Sequence, residues 1–182
     1  MATFDAIAAV SAAICELLTL EAASAGLEDV RFVLDDIAAS DLPVGGGRHG
    51  AAGHVVLHLA RVSPVAPGFR QPPRGPQPGE HGLGLDLHFV LVAHASDPAW
   101  RLSLLGWCIA TLDAHPILTA ALLNRAGLPA TAPPEPIFEP HETVTIALES
   151  PTPDELAAAL GSPIPPAAGY VARGVVIRQP VP

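Results

Sequence analysis

Eight histidines are the side chains in this sequence most able to do chemistry, because imidazole serves both as a metal ligand and as a general base. Asp86 and His88 lie two residues apart on one face of a predicted strand, where they could ligate an ion or relay a proton, although a solvated or interface-facing pair is the more ordinary interpretation. His54 and His58 also share a strand face, but about 13 Å separates them at about 3.3 Å per residue, too far for one ion. Since His, Asp, Glu and Cys form no dense set, we expect no metal site.

Nucleotide-binding and nucleophilic motifs are equally incomplete. The glycines at 45–47 lack the Lys-Ser/Thr of a phosphate loop, and those at 82 and 84 precede a predicted strand instead of linking a strand to a helix. No serine stands in a GxSxG frame. Cys108 and His115 are about 10 Å apart along a predicted helix, so a catalytic dyad is not expected. We therefore expect no catalytic residue and no cofactor.

Composition limits the classes of partner. The chain has 182 residues, 49% of them hydrophobic and 15% charged, which fits one globular domain spanning residues 1–182. Its net charge of −9 has the wrong sign for binding nucleic-acid phosphates. Two isolated cysteines fit a reducing cytoplasm, and neither a basic N-terminal region nor an uninterrupted apolar run of about 18 residues is present, so we expect no membrane partner.

The apolar spacing predicts three helices. The first runs from Thr3, its expected cap, to about Ala23. The second starts at the N-cap Asp97, followed by Pro98, and runs to about Ala114, after which residues 117–124 add one or two further turns. The third opens with a capping box at Thr152.

Alternating apolar residues predict five strands, near residues 30–34, 54–62, 83–91, 144–148 and 170–177. The prolines and glycines of residues 63–82 predict a loop, and five prolines predict another at residues 129–140. The order α-β-β-β-α-β-α-β favours an α+β fold, with one mixed or mainly antiparallel sheet of about four to five strands and three helices packed on it.

The strand LGLDLHFVLVAHA is followed by the helix LLGWCIATLDAHPIL, and this succession is the most specific pattern in the sequence. It resembles the N-terminal domain of tail-terminator (cap) proteins of extracellular contractile injection systems. GHVVLHLARVSPV is similar to an earlier strand of that family, and residues 142–177 are similar to its last strands and short helix. This chain departs from the family in lacking a Trp in that short helix and in the length of its loop at 63–82.

The resemblance implies a structural, non-enzymatic protein that forms a ring, expected to be a hexamer, on the last ring of the inner tube protein and against the sheath protein. Such a cap would close a phage-tail-like, toxin-delivering particle that assembles in the cytoplasm. The polar strand edges, the 63–82 loop and the 129–140 loop are the candidate contacts. Two alternatives remain open: a monomeric adaptor domain of the same fold, and a small-molecule or metal-binding domain that uses Asp86 and His88.

Overall fold

A computed structural model describes residues 5–34, 53–65, 80–127, 136–161 and 164–180. The glycine loop at 45–47, the predicted cap Thr3 and the centre of the 63–82 loop lie outside these ranges. The described residues form four helices and six strands, named here in chain order: α1 Ala6–Ser24, β1 Val30–Leu34, β2 Gly53–Pro64, β3 Glu80–Ala95, α2 Pro98–Ala114, β4 Ile117–Thr119, α3 Ala120–Gly127, β5 Thr143–Glu149, α4 Pro153–Leu160 and β6 Ala167–Pro180.

All six strands join one mixed sheet in the order β1-β2-β3-β6-β5-β4. The β1–β2 pair is parallel and the other four pairs are antiparallel. The predicted α+β class and mixed sheet are confirmed. The described residues form six strands where four to five were expected, and four helices where three were expected. The additional elements are β4 and α3, which occupy the segment that was predicted as a continuation of α2.

The hydrophobic core lies between one face of the sheet and the helices α1, α2 and α3. Alternate residues of β2 and β3 point into it, including Val55, Leu57, Leu87 and Phe89, because successive side chains of a strand face opposite ways. Burial of each such side chain stabilises the fold by about 1.5–3 kcal/mol. Leu85 continues the same series on β3.

Helix α1 is long and apolar enough to cross a bilayer by length and composition alone. Nine of its residues are buried in the fold, among them Val10, Ile14 and Leu18. Packing against the sheet and α3 therefore accounts for its apolar character. The helix as described starts at Ala6, after Asp5.

Two predicted helix caps are present in the structure. The Asp97 carboxylate accepts hydrogen bonds from the backbone N–H groups of Ala99 and Trp100. At the start of α4, the Thr152 hydroxyl accepts from the Glu155 N–H, and the Glu155 side chain accepts from the Thr152 N–H. These bonds satisfy N–H groups that a helix leaves unpaired in its first turn.

The predicted loops were too wide at their ends. Strand β2 continues through Pro64 and β3 begins at Glu80, and the Val65 N–H donates to the Gly84 carbonyl at 2.9 Å. Pro64 is tolerated because it is the last residue of its strand, where a missing N–H costs least. In the 129–140 loop, Ile137 and Phe138 belong to the hydrophobic core, so this part of the predicted contact loop is not a surface.

Candidate functional site

His88 is the centre of a polar network on the sheet face opposite the core. Its Nδ1 lies 2.5 Å from Oε2 of Glu149 in β5, and its Nε2 lies 2.8 Å from Oγ of Ser63 in β2. Because a carboxylate can only accept, the Nδ1–H donates to Glu149 and Nε2 faces the serine hydroxyl. The side chain is 12% exposed, so it lies largely within the sheet surface. One imidazole thus connects three strands.

Arg61 extends the network to helix α4. Its Nη2 lies 3.2 Å from His88 Nδ1, but both nitrogens are donors once Nδ1 binds Glu149, so this contact is not a hydrogen bond. The Arg61 Nε pairs instead with Oε1 of Glu155 at 3.0 Å. The backbone and side-chain hydrogen bonds of Thr152 lower the pKa of Glu155, which keeps its carboxylate charged opposite the guanidinium. The network therefore holds α4 against β2.

The bonded series of Ser63, His88 and Glu149 has the same order as a catalytic triad, in which a nucleophile is bonded to its general base and the base to an orienting carboxylate. An acyl-transfer site further needs N–H donors for the oxyanion, usually including that of the residue after the nucleophile. Here that residue is Pro64, which has no N–H. We therefore interpret the three residues as a structural cross-link between strands.

Asp86, the proposed companion of His88, lies opposite Ser63 in the β2–β3 register, while the bonds of the His88 ring go to Glu149 and Ser63. Among the residues that the structure describes, no group of three or more His, Cys, Asp or Glu is arranged to hold a metal ion. The hydrogen bonds of the His88 ring therefore do not include Asp86, with which the small-molecule or metal-binding alternative paired it.

The cysteines lie away from any reactive partner that the sequence suggested. Burial raises the pKa of Cys15 and that of Cys108 to about 12 each, so both thiols stay protonated and act as small apolar side chains. His115, the suggested partner of Cys108, bonds to the Thr111 carbonyl through Nδ1 at 3.0 Å and approaches Glu21 at 3.6 Å through Nε2. It ends α2 and contacts α1.

His54 and His94 form a second histidine feature, which sequence reasoning did not identify because it depends on strand register. They are directly opposed in the β2–β3 ladder, and their rings stack with centroids 4.6 Å apart and planes 8° apart. Burial lowers the pKa of both imidazoles, and the neighbouring charges of His54, His58 and Arg101 lower that of His94 further. His54 is 6% exposed.

An apolar surface remains uncovered where the core face of the sheet extends past the helices. The apolar tip, as we name it, comprises the four exposed side chains Leu34, Leu59, Val62 and Leu83 at one end of β1, β2 and β3. They have the same orientation as the buried residues of their strands, but no described helix covers them. Exposed apolar surface of this kind is typical of protein contact sites.

The sheet also has two edge strands. Within the described part of the chain, β1 pairs only with β2 and β4 pairs only with β5, so the outer backbone groups of both strands face away from the sheet. Both are short, with five and three residues, which is a common way to limit unwanted edge pairing. Ile117 on β4 is more than half exposed. Polar strand edges were among the contacts expected from the sequence.

Comparison with known proteins relates this chain to a sequence family and to a similar fold. The sequence model described as "Pvc16 N-terminal domain" matches residues 9–182, whereas no curated protein matches the chain. The fold is similar to the sheath/tube terminator, in its extended state, of an extracellular contractile injection system named PVC, with a TM-score of 0.50 and 11% sequence identity. That likeness covers 92% of this chain and 56% of the terminator, so the chain spans little more than half of that protein's length. The family match over nearly the whole sequence shows that this chain belongs to the Pvc16 N-terminal domain family.

Proposed function

We propose that this protein is a structural, non-enzymatic terminator that closes the distal end of the inner tube and the sheath of a contractile injection system. Membership of the Pvc16 N-terminal domain family is the observation that supports this most strongly. A fold similar to that of a sheath/tube terminator agrees with it. Residues 1–182 would then act as one terminator domain in a particle that assembles in the cytoplasm and delivers a toxin.

The proposed assembly is a ring, a hexamer if it follows the symmetry expected of such tails. Head-to-tail contacts around a ring use two different surfaces of each subunit and close when the rotation per subunit divides the circle. The apolar tip and the two sheet edges offer distinct surfaces for neighbours, tube and sheath. The His88 network supports this function by holding α4 and three strands rigid rather than by catalysis.

Removal of the chain from a producing cell tests the proposal. Tubes and sheaths should then lose their uniform length, because nothing stops either polymer from growing, and electron microscopy of the particles measures this. Wild-type chain should restore a narrow length distribution. Particles of unchanged, uniform length in its absence would contradict the terminator function.

The same complementation can locate the contact surface. Leu83→Asp should fail to restore length control, since it places a charge in the apolar tip. Leu102→Asp is the matched control, because Leu102 on α2 is equally exposed, at 54%, and lies outside the tip. Circular dichroism should show both variants folded. Equal restoration by the two variants would remove the tip from the interface.

A further inference from the structure

A row of basic side chains crosses the outer three strands on the face opposite the core. In the ladder, Arg31 of β1 is the partner of His54 of β2, and His54 is the partner of His94 of β3. The two imidazoles are stacked at 4.6 Å between centroids. His54 is buried, and its Nε2 has no hydrogen-bond partner among the described residues. The pair is therefore packed as two neutral rings.

The surroundings of this pair are basic on each described element that packs there. β1 contributes Arg31, β2 contributes His58, and the first turn of α2 contributes Arg101, whose charge acts on His94. The N-terminus of α2, which follows His94 closely, adds the positive end of the helix dipole. Asp97, the N-cap of α2, carries a carboxylate close to His94 in sequence. This carboxylate already accepts hydrogen bonds from the backbone N–H groups of Ala99 and Trp100.

Helix α4 also packs on β2 and carries two acidic residues, Asp154 and Glu155. Asp154 is exposed. Glu155 pairs with Arg61, toward the far end of the strand from His54. A single protonated ring can still stack as a cation on the face of its neutral partner. A second proton places two like charges in contact, with Arg31 and Arg101 adding to the repulsion.

We propose that His54 and His94 form an acid-operated latch that keeps β1 and the beginning of β2 attached to β3 at neutral pH and releases that corner of the sheet when both rings are protonated. Of the three strands at this corner, β1 is the one most easily released, because it has five residues and pairs with one strand among the described residues. The proposal does not depend on the terminator function, since it concerns the isolated chain.

The direction of the pH effect follows from the shift of the two imidazoles. Burial holds the pKa of both rings below the ordinary 6.5, and basic neighbours lower that of His94 further. The open corner therefore binds more protons than the closed one, and closure loses free energy as the pH falls. The stabilisation is complete above pH 6.5, declines below it, and is lost once the pH has passed through the lowered pKa values.

Hydrogen exchange measured by mass spectrometry on the full chain tests the latch. From about pH 7.5 to about pH 5, after correction for the intrinsic pH dependence of exchange, peptides of β1 and residues 53–58 should exchange at least about tenfold faster, because protonation of both rings favours the open corner. Peptides of β5 and of residues 169–172 should keep their protection. Equal protection of β1 at both pH values would overturn the proposal.

Single variants separate the pair from general acid sensitivity. His54→Gln and His94→Gln each leave one titratable ring, so the acid-induced exchange of β1 should be clearly smaller than in the wild type, because the repulsion between two charged rings is removed and only the burial of one ring remains. His141→Gln is the control, because His141 is an exposed histidine in a turn, and it should respond as the wild type does. A wild-type response in His94→Gln would contradict the latch. If neither variant folds, nuclear magnetic resonance titration of the imidazoles in the wild-type protein tests the latch instead. Two independent titrations at the ordinary pKa would overturn the proposal.

Discussion

Gly169 shows how a single residue can be required by close packing. An added Cβ at this position of β6 would lie 2.5 Å from Cδ of Pro151 and 2.6 Å from the Glu149 carbonyl oxygen. Gly169 is also the β5–β6 partner of Glu149, so the clash would fall beside the residue that holds His88. Backbone atoms cannot move away cheaply, and the substitution must displace β5 or the turn after it.

We expect Gly169→Ala to lower the free energy of unfolding by about 1–3 kcal/mol, as overpacking usually does. Gly106→Ala is its control, since Gly106 lies exposed within α2 with nothing within 4 Å of the added Cβ. That control should be neutral or stabilising by up to about 1 kcal/mol, because alanine is the better helix former. Urea unfolding of both variants measures the difference, and a stable Gly169→Ala protein would contradict the packing described here.

Residue roles were predictable from sequence where they depend on local chain geometry. Asp97 and Thr152 were identified as helix caps from spacing alone, and the structure confirms both. The bonds of His88 could not be foreseen, because they depend on which strands are neighbours and on a bulge between Leu59 and Arg61 that sets the register. The same holds for the stacked pair of His54 and His94.

At the scale of elements, Asn124 joins α3 to the segment before β5. Its Oδ1 accepts from the Phe138 N–H and its Nδ2 donates to the Phe138 carbonyl, both at 2.8 Å. This pair of bonds fixes the backbone beside the buried Phe138 ring. Removing the amide leaves two backbone groups of a part-buried segment without their partner.

Asn124→Ala should therefore lower the free energy of unfolding by about 2–6 kcal/mol, at about 1–3 kcal/mol for each of the two unpaired groups. Arg125→Ala is the neighbouring control, because the Arg125 pair with Glu16 is largely exposed at 59% and 29% and should contribute less than about 1 kcal/mol. Urea unfolding midpoints compare the two. Similar losses in both variants would show that the Asn124 bonds are not a specific tether.

Long, strongly alternating elements were predictable, and short ones were not. β3 was the clearest pattern in the sequence and forms the centre of the β2–β3–β6 ladder. β4 has three residues, too few to show alternation, and exists because Ile117–Thr119 pairs with β5. Strand pairing depends on contacts with a distant part of the chain, which the local sequence does not show. The local pattern therefore predicted a helical turn where β4 forms.

For the whole molecule, the sequence indicated a sheet with helices packed on it but not the strand order. β6, the last strand, lies between β3 and β5, and β1 lies parallel to β2 at one edge. Such an order depends on contacts between residues far apart in the chain. The resemblance of local segments to tail terminators nevertheless predicted the family, whose model matches residues 9–182.

The position of the chain in an assembled particle tests the central claim most directly. Electron cryomicroscopy of particles that carry a labelled copy of this chain should show density for one ring of copies, at one end of the tube and sheath only. The account predicts this because a terminator binds the last ring of each polymer and offers no surface for a further ring. Label distributed along the shaft, or absent from both ends of complete particles, would contradict it.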